Sequence, residues 1–203
     1  MVSWQDRKKC ASKPRDIEDQ TLAFSQGTLE CMHWKGQPVF KTVYEFSLYP
    51  MMLWELRPAT IIELGSGTGS SAIWLSDVLR QFDNPAHLFS LDITPPNTTY
   101  EGVTFIEADI TRIEEFYSTF RSYPKPWLVL EDAHVNIPGV LNCMHTLMKA
   151  DDYLIIEDST AKQRDIDIFM QTYGNYYKVD TRYLDFFGLN ASSALNSVFK
   201  RVQ

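Results

Sequence analysis

The segment Ile61–Ala72, IIELGSGTGSSA, constrains this chain more than any other stretch. An apolar run, a glycine turn and a helix-forming stretch follow one another without a break. That order describes a strand entering a helix at the carboxyl end of a parallel sheet, where open α/β sheets bind their ligands. Gly65, Gly67 and Gly69 let the backbone come close to such a ligand. From Ile61 onward short apolar runs alternate with amphipathic stretches, the pattern of a parallel sheet covered by helices on both faces. TIIEL, HLFSLDI, VTFIEADI, WLVLEDA, DYLIIEDS, YYKVDTRY and NSVFKRV read as its strands. Apolar spacing predicts helices over Ser70–Arg80, Ile113–Arg121, Ile137–Met148 and Lys162–Tyr173. An earlier helix is expected in KTVYEFSLYPMMLWELRP, kinked at Pro50. Only the loop LDFFGLNASSAL separates the last two strands, so they are expected to pair antiparallel. The expected fold class is α/β: a Rossmann-like, seven-stranded, mostly parallel sheet with helices on both faces and the last strand antiparallel.

A chain of 203 residues, 44% of them hydrophobic, can bury one sizeable core. One domain is expected over residues 41–203, preceded by a less regular segment, 1–40, that covers the site. That segment holds Trp4, Phe24, Trp34 and Phe40, for which packing on the core and lining a pocket both remain open. Nineteen basic against 26 acidic residues give a net charge of −7, which argues against a nucleic-acid partner. The basic cluster DRKK, Asp6–Lys9, reads as a solvated tail. Cys10, Cys31 and Cys143 are odd in number and widely spaced, suggesting neither a disulfide framework nor a zinc site. The N-terminus lacks the apolar core of a signal peptide, and no run approaches the roughly 20 apolar residues of a membrane span. A soluble, cytoplasmic protein without membrane contact is expected.

A dinucleotide fingerprint would need glycine at position 70, where this chain has Ser70. The glycines recur instead as G-x-G-x-G, with Glu63 two residues ahead of the first. Here the chain resembles the class I S-adenosylmethionine-dependent methyltransferases, whose first motif has the form (D/E)-x-G-x-G-x-G. The resemblance implies that Glu63, Gly65, Ser66, Gly67, Gly69 and Ser71 form the cofactor turn, with Ser71 at the position that commonly bonds the methionine carboxylate. Asp92 closes the second strand, where a carboxylate accepts from ribose hydroxyls; the same placement serves NAD and does not discriminate. Asp109 ends the third strand, where such enzymes contact the adenine amino group. A ligand carrying an ammonium and a sulfonium makes acids near the turn favourable rather than repulsive.

The fourth strand ends LEDAH and the fifth IIEDS, gathering Glu131, Asp132, His134, Glu157 and Asp158 at the edge where the ligand sits. Four carboxylates crowded there repel unless some are protonated or a cation neutralises them. Oxygen-rich ligands suit Mg²⁺ first, then Ca²⁺ or Mn²⁺. Residues 28–202 resemble the methyltransferase family named after cephalosporin hydroxylase and, more distantly, the metal-dependent catechol and macrolide-sugar O-methyltransferases. In those, an acid after the fourth strand and an acidic pair after the fifth hold the metal, which carries over to Glu157 and Asp158 as the pair. The first acid is Glu131 or Asp132; the catechol pattern favours Glu131, three residues before the base. His134 stands where the catechol enzymes have a catalytic lysine, and histidine is a sound base near neutral pH.

The reading implied is methyl transfer from S-adenosylmethionine to a hydroxyl of a small acceptor, a secondary metabolite by family resemblance, with a homo-oligomer as a compatible assembly. Two other classes are weighed against it. A non-catalytic cofactor-binding or partner subunit would bind the cofactor without turnover. An NAD-dependent short-chain dehydrogenase would need Y-x-x-x-K, which none of the tyrosines begins. An iron oxygenase would need H-x-(D/E), and none of His33, His87, His134 or His145 is followed by an acid at that spacing.

Overall fold

The structure is a computed structural model that describes residues 1–9, 14–27 and 31–203. Cys10 and Thr28, where the family resemblance begins, lie outside the described residues. The N-terminal part contributes α1 (Trp4–Lys9), α2 (Asp19–Phe24) and a small antiparallel hairpin, β1 (Met32–Trp34) and β2 (Gln37–Val39). The long helix α3 (Val43–Leu56) follows. Then come β3 (Thr60–Leu64), α4 (Ser70–Gln81), β4 (His87–Asp92) and β5 (Val103–Glu107). A 3-10 stretch, Ile110–Phe116, leads into α5 (Tyr117–Arg121) and β6 (Trp127–Glu131). The chain ends with α6 (Ile137–Leu147), β7 (Tyr153–Ile156), α7 (Gln163–Tyr173), β8 (Tyr177–Val179), α8 (Thr181–Leu184) and β9 (Val198–Arg201).

The main sheet has seven strands in the order β5-β4-β3-β6-β7-β9-β8. β9 enters between β7 and β8 and pairs antiparallel with both, while the other pairings are parallel. Every residue of β3, β6 and β7 is buried, as central parallel strands covered on both faces require. Strand order runs outward in both directions from β3 and β6, so a crevice opens beyond their carboxyl ends.

Two of the expected elements depart from the sequence reading. The helix expected over Ile113–Arg121 is instead the end of a 3-10 stretch, itself broken by non-helical backbone at Arg112, followed by a short α-helix. Its apolar residues Ile110, Ile113 and Phe116 recur every third position, which suits three residues per turn. The strand expected across YYKVDTRY stops at Val179 because the Asp180 carboxylate accepts from the Arg182 N–H and starts α8. Helix α3 continues through Pro50. Its start is fixed by a capping box: the Thr42 hydroxyl accepts from the Glu45 N–H, and the Glu45 carboxylate accepts from the Thr42 N–H at 2.7 Å. That box sets where the preceding residue, Lys41, points.

No helix of the described residues is long and apolar enough to cross a membrane.

Candidate active site

A cavity of about 410 Å³ occupies the crevice at the carboxyl ends of β3 to β7. The glycine turn forms its floor, Asp92 and Asp109 one wall, and Asp132, His134 and Asp158 the other; Gln26, Phe40 and Lys41 reach over it from the N-terminal side.

The turn is built by close packing. Gly65 has φ +101°, and a Cβ there would lie 2.6 Å from the Asp132 carbonyl oxygen. At Gly69, the N-cap of α4 at φ +78°, a Cβ would meet Pro96 at 2.7 Å. Gly67 differs, since a Cβ there would meet nothing within 4 Å. Its N–H donates to the Asp92 carboxylate at 3.0 Å, and the Thr94 N–H donates to the other Asp92 oxygen at 3.0 Å. Asp109 likewise accepts from the N–H and hydroxyl of Thr111, which hold its carboxyl below the usual range against the effect of burial. Both acids are only partly buried and keep acceptor capacity toward the cavity.

Glu63 does not face the cavity. Its side chain is fully buried beneath the turn, where it accepts from the hydroxyls of Ser71 and Ser90; burial pushes its carboxyl up. Ser66 is linked to Ser90 at 2.6 Å, so this serine–glutamate network braces the turn from below. Ser66 and Ser71 also line the cavity.

The four acids after β6 and β7 divide into two pairs. Glu131 and Glu157 are buried, with side chains 0% and 4% exposed, whereas Asp132 and Asp158 face the crevice at 22% and 56%. Glu131 accepts from the Lys162 ammonium at 2.6 Å and from the His134 backbone N–H at 3.0 Å. Lys162 also donates to the Glu157 carbonyl at 2.6 Å. The Glu157 carboxylate accepts from Lys41 and from the Tyr49 hydroxyl, and Lys41 reaches Asp132 Oδ2 at 2.7 Å. Burial opposes the charge on Lys41, but Glu157 and Asp132 outweigh it and hold the ammonium well above its ordinary value. Burial likewise works against the Asp132 carboxylate, and Lys41 and His134 overcome it, keeping that group strongly acidic.

Sequence reasoning assigned the crowded acids to a metal; two lysines of the chain itself neutralise much of that charge. Neither lysine was anticipated, although the crowding was the signal that could have prompted a search for basic partners. Glu131, favoured as the first metal acid, is held by Lys162 and the His134 backbone, and its neighbour Asp132 presents its carboxylate to the crevice instead.

His134 Nε2 lies 3.2 Å from Asp132 Oδ1 and 3.7 Å from Asp158 Oδ2. One ligand atom from each of these three residues falls within 4.8 Å of the others. His134 and Asp158 adopt left-handed backbone, φ +59° and +44°, uncommon for such residues and concentrated at functional turns. The Asp132 hydrogen bond raises the His134 imidazole above its ordinary value. The loop is anchored further by Asn136, whose amide donates to the carbonyls of Ile110 and Thr111 while its oxygen caps α6.

Residues 26–176 match the family described as Rhamnosyl O-methyltransferase/CmcI. The chain belongs to this family. A rhamnosyl O-methyltransferase of Mycobacterium leprae is 29% identical over 136 residues, 62% of this chain and 59% of that protein. One from Mycobacterium bovis is 27% identical over 135 residues, 61% of this chain and 55% of its own length. The chain thus aligns with little more than half the length of these curated relatives. Among solved structures, apo CmcI superposes with a TM-score of 0.75 at 24% identity, covering 95% of this chain and 88% of that one. CmcI with Mg and SAM gives 0.75 at 24%, covering 98% and 84%. These superpositions show that the chain shares the CmcI fold over 95–98% of its length.

Proposed function

We propose that this chain transfers a methyl group from S-adenosylmethionine to a hydroxyl oxygen of a small acceptor, assisted by a divalent cation. The observation that carries the reading is a single crevice. It places a ligand-sized cavity over a glycine turn flanked by Asp92 and Asp109, and three potential metal ligands on the facing wall. Membership of an O-methyltransferase family supports the same reaction class.

The residues present fit both groups. The open face at Gly67 is a cradle that a side chain would fill, and Asp92 offers two oxygens to ribose hydroxyls at one end while Asp109 suits an adenine amino group at the other. Asp132 and Asp158 supply the hard oxygen donors that Mg²⁺, Mn²⁺ or Ca²⁺ prefer. When bound, the cation supplies Lewis acidity at the acceptor oxygen and S-adenosylmethionine supplies an electrophilic methyl.

His134 Nε2, directed at the same point as the two aspartates, takes the acceptor hydroxyl proton. Glu131 holds the His134 backbone in place from behind. Phe40, 56% exposed at the cavity rim, shields the acceptor side from water. The relatives' names point to a deoxysugar hydroxyl as one acceptor class. Positioning of this kind contributes on the order of 7–11 kcal/mol in well-oriented intramolecular reactions.

The test is a split of functions: Asp158→Ala and His134→Ala should lower methyl transfer to a panel of rhamnosides and hydroxylated metabolites at least about 100-fold. Affinity for S-adenosylhomocysteine should stay within a few-fold of the parent. Full turnover in either variant would remove its residue from the mechanism. Cofactor binding without transfer to any acceptor would favour a non-catalytic subunit.

A further inference from the structure

Two lysines neutralise the buried half of the acid cluster, and their positions differ. Lys162 lies behind the crevice wall, bound to Glu131 and the Glu157 carbonyl. Lys41 lines the crevice itself although it is only 2% exposed, and its ammonium bridges acids that follow two adjacent strands, Asp132 after β6 and Glu157 after β7. A fixed positive charge therefore stands between carboxylates that would otherwise chelate a cation together. Lys41 is not free to withdraw. On one side the capping box at Thr42 fixes the start of α3. On the other, Val39 is fully buried and the Pro38 carbonyl accepts from the hydroxyls of Thr68 and Ser70.

We propose that Lys41 is a built-in counter-cation that competes with the divalent ion, withholding Asp132 Oδ2 and Glu157 and leaving Asp132 Oδ1 and Asp158 for metal. The inference rests on the metal-assisted reading above. Two cations sharing neighbouring carboxylates repel each other, so the ion is held loosely and its coordination is completed by water and acceptor oxygens. Lys41 is thereby a positioning residue: it makes a cation in the crevice depend on the presence of acceptor.

The test is Mn²⁺ binding, read from the EPR signal of the free ion, in the full chain and in Lys41→Met, Glu157→Gln and the double variant. Lys41→Met exposes two uncompensated carboxylates to the ion and should bind Mn²⁺ on the order of tenfold tighter or more. Its melting temperature should rise with Mn²⁺ by more than that of the parent, since metal replaces the lost charge. Glu157→Gln alone should change affinity by about threefold or less, and the double variant should lose the gain of Lys41→Met. Equal or weaker binding by a folded Lys41→Met would overturn the inference. So would a loss on the order of tenfold in Glu157→Gln, which decides the matter alone if Lys41→Met does not fold. Absence of Mn²⁺ binding in both the parent and Lys41→Met, with S-adenosylhomocysteine still bound, would overturn the metal half of the functional reading as well. Binding that is present but unaltered would overturn the role of Lys41 only.

Discussion

Glu131 and Asp132 are neighbours with opposite surroundings, because successive residues at a strand end face opposite sides. Glu131 turns inward to Lys162 and Asp132 outward to the crevice. Breaking a buried ion pair by removing one partner leaves an uncompensated charge, so Lys162→Met should lower unfolding free energy by about 3–5 kcal/mol in urea titrations. Its affinity for S-adenosylhomocysteine should be nearly unchanged, because neither Lys162 nor Glu131 lines the cavity. The glycines of the turn separate in the same way. Gly65→Ala forces a methyl to 2.6 Å from the Asp132 carbonyl, so backbone must move and cofactor binding should be lost. Gly67→Ala meets no protein atom and should cost stability only about 1–2 kcal/mol for its left-handed backbone, while its methyl fills the proposed cradle and weakens cofactor binding. Equal losses of stability in the two variants would show that crowding is not what demands glycine at 65. At this scale the sequence identified which residue types gather at the crevice. Which of Glu131 and Asp132 faces it depends on strand orientation, and the counter-charges come from positions 41 and 162, far apart in the chain.

Among the elements, the β1–β2 hairpin matters beyond its size because it carries the chain to Lys41. Asp77 of α4 anchors it, accepting from Trp34 Nε1 at 2.7 Å and from Lys35 at 2.8 Å, with Tyr100 and Arg80 completing the cluster. Burial works against the Asp77 charge, but the hydrogen bonds from Lys35, Trp34, Tyr100 and Arg80 prevail and bring its carboxyl down to about 2. A depressed acid stabilises the folded state above its unfolded value near 4, and that contribution is lost as pH falls toward 2. The contribution is on the order of 1–2 kcal/mol after allowing for solvent screening of the exposed Lys35 and Arg80. Asp77→Asn should therefore be less stable than the parent at neutral pH, with the gap closing between about pH 4 and pH 2. A gap that persists at pH 2 would mean that the carboxylate charge is not the anchor. The hairpin could not be read in advance: three-residue strands leave too short an alternation, and Trp34 signals its partner only once α4 is folded beside it. The parallel strands were legible because burial on both faces makes them continuous apolar runs, and the region at Ile110 misled because a period of three resembles a short α-helix.

For the molecule as a whole, the topology concentrates function. Loops after β3, β4 and β5 build the proposed cofactor side, and those after β6 and β7 the proposed metal side, while Gln26, Phe40 and Lys41 line the same cavity. That convergence was legible from strand-end acids alone, since parallel strands bring all their carboxyl ends to one edge. The central claim, that the glycine turn holds S-adenosylmethionine independently of metal, is tested most directly by calorimetric titration of the chain with S-adenosylmethionine and S-adenosylhomocysteine, in Mg²⁺ and after chelation. The account predicts one site per chain, binding that survives chelation, and its loss in Asp92→Ala. Absence of binding in both conditions would contradict it.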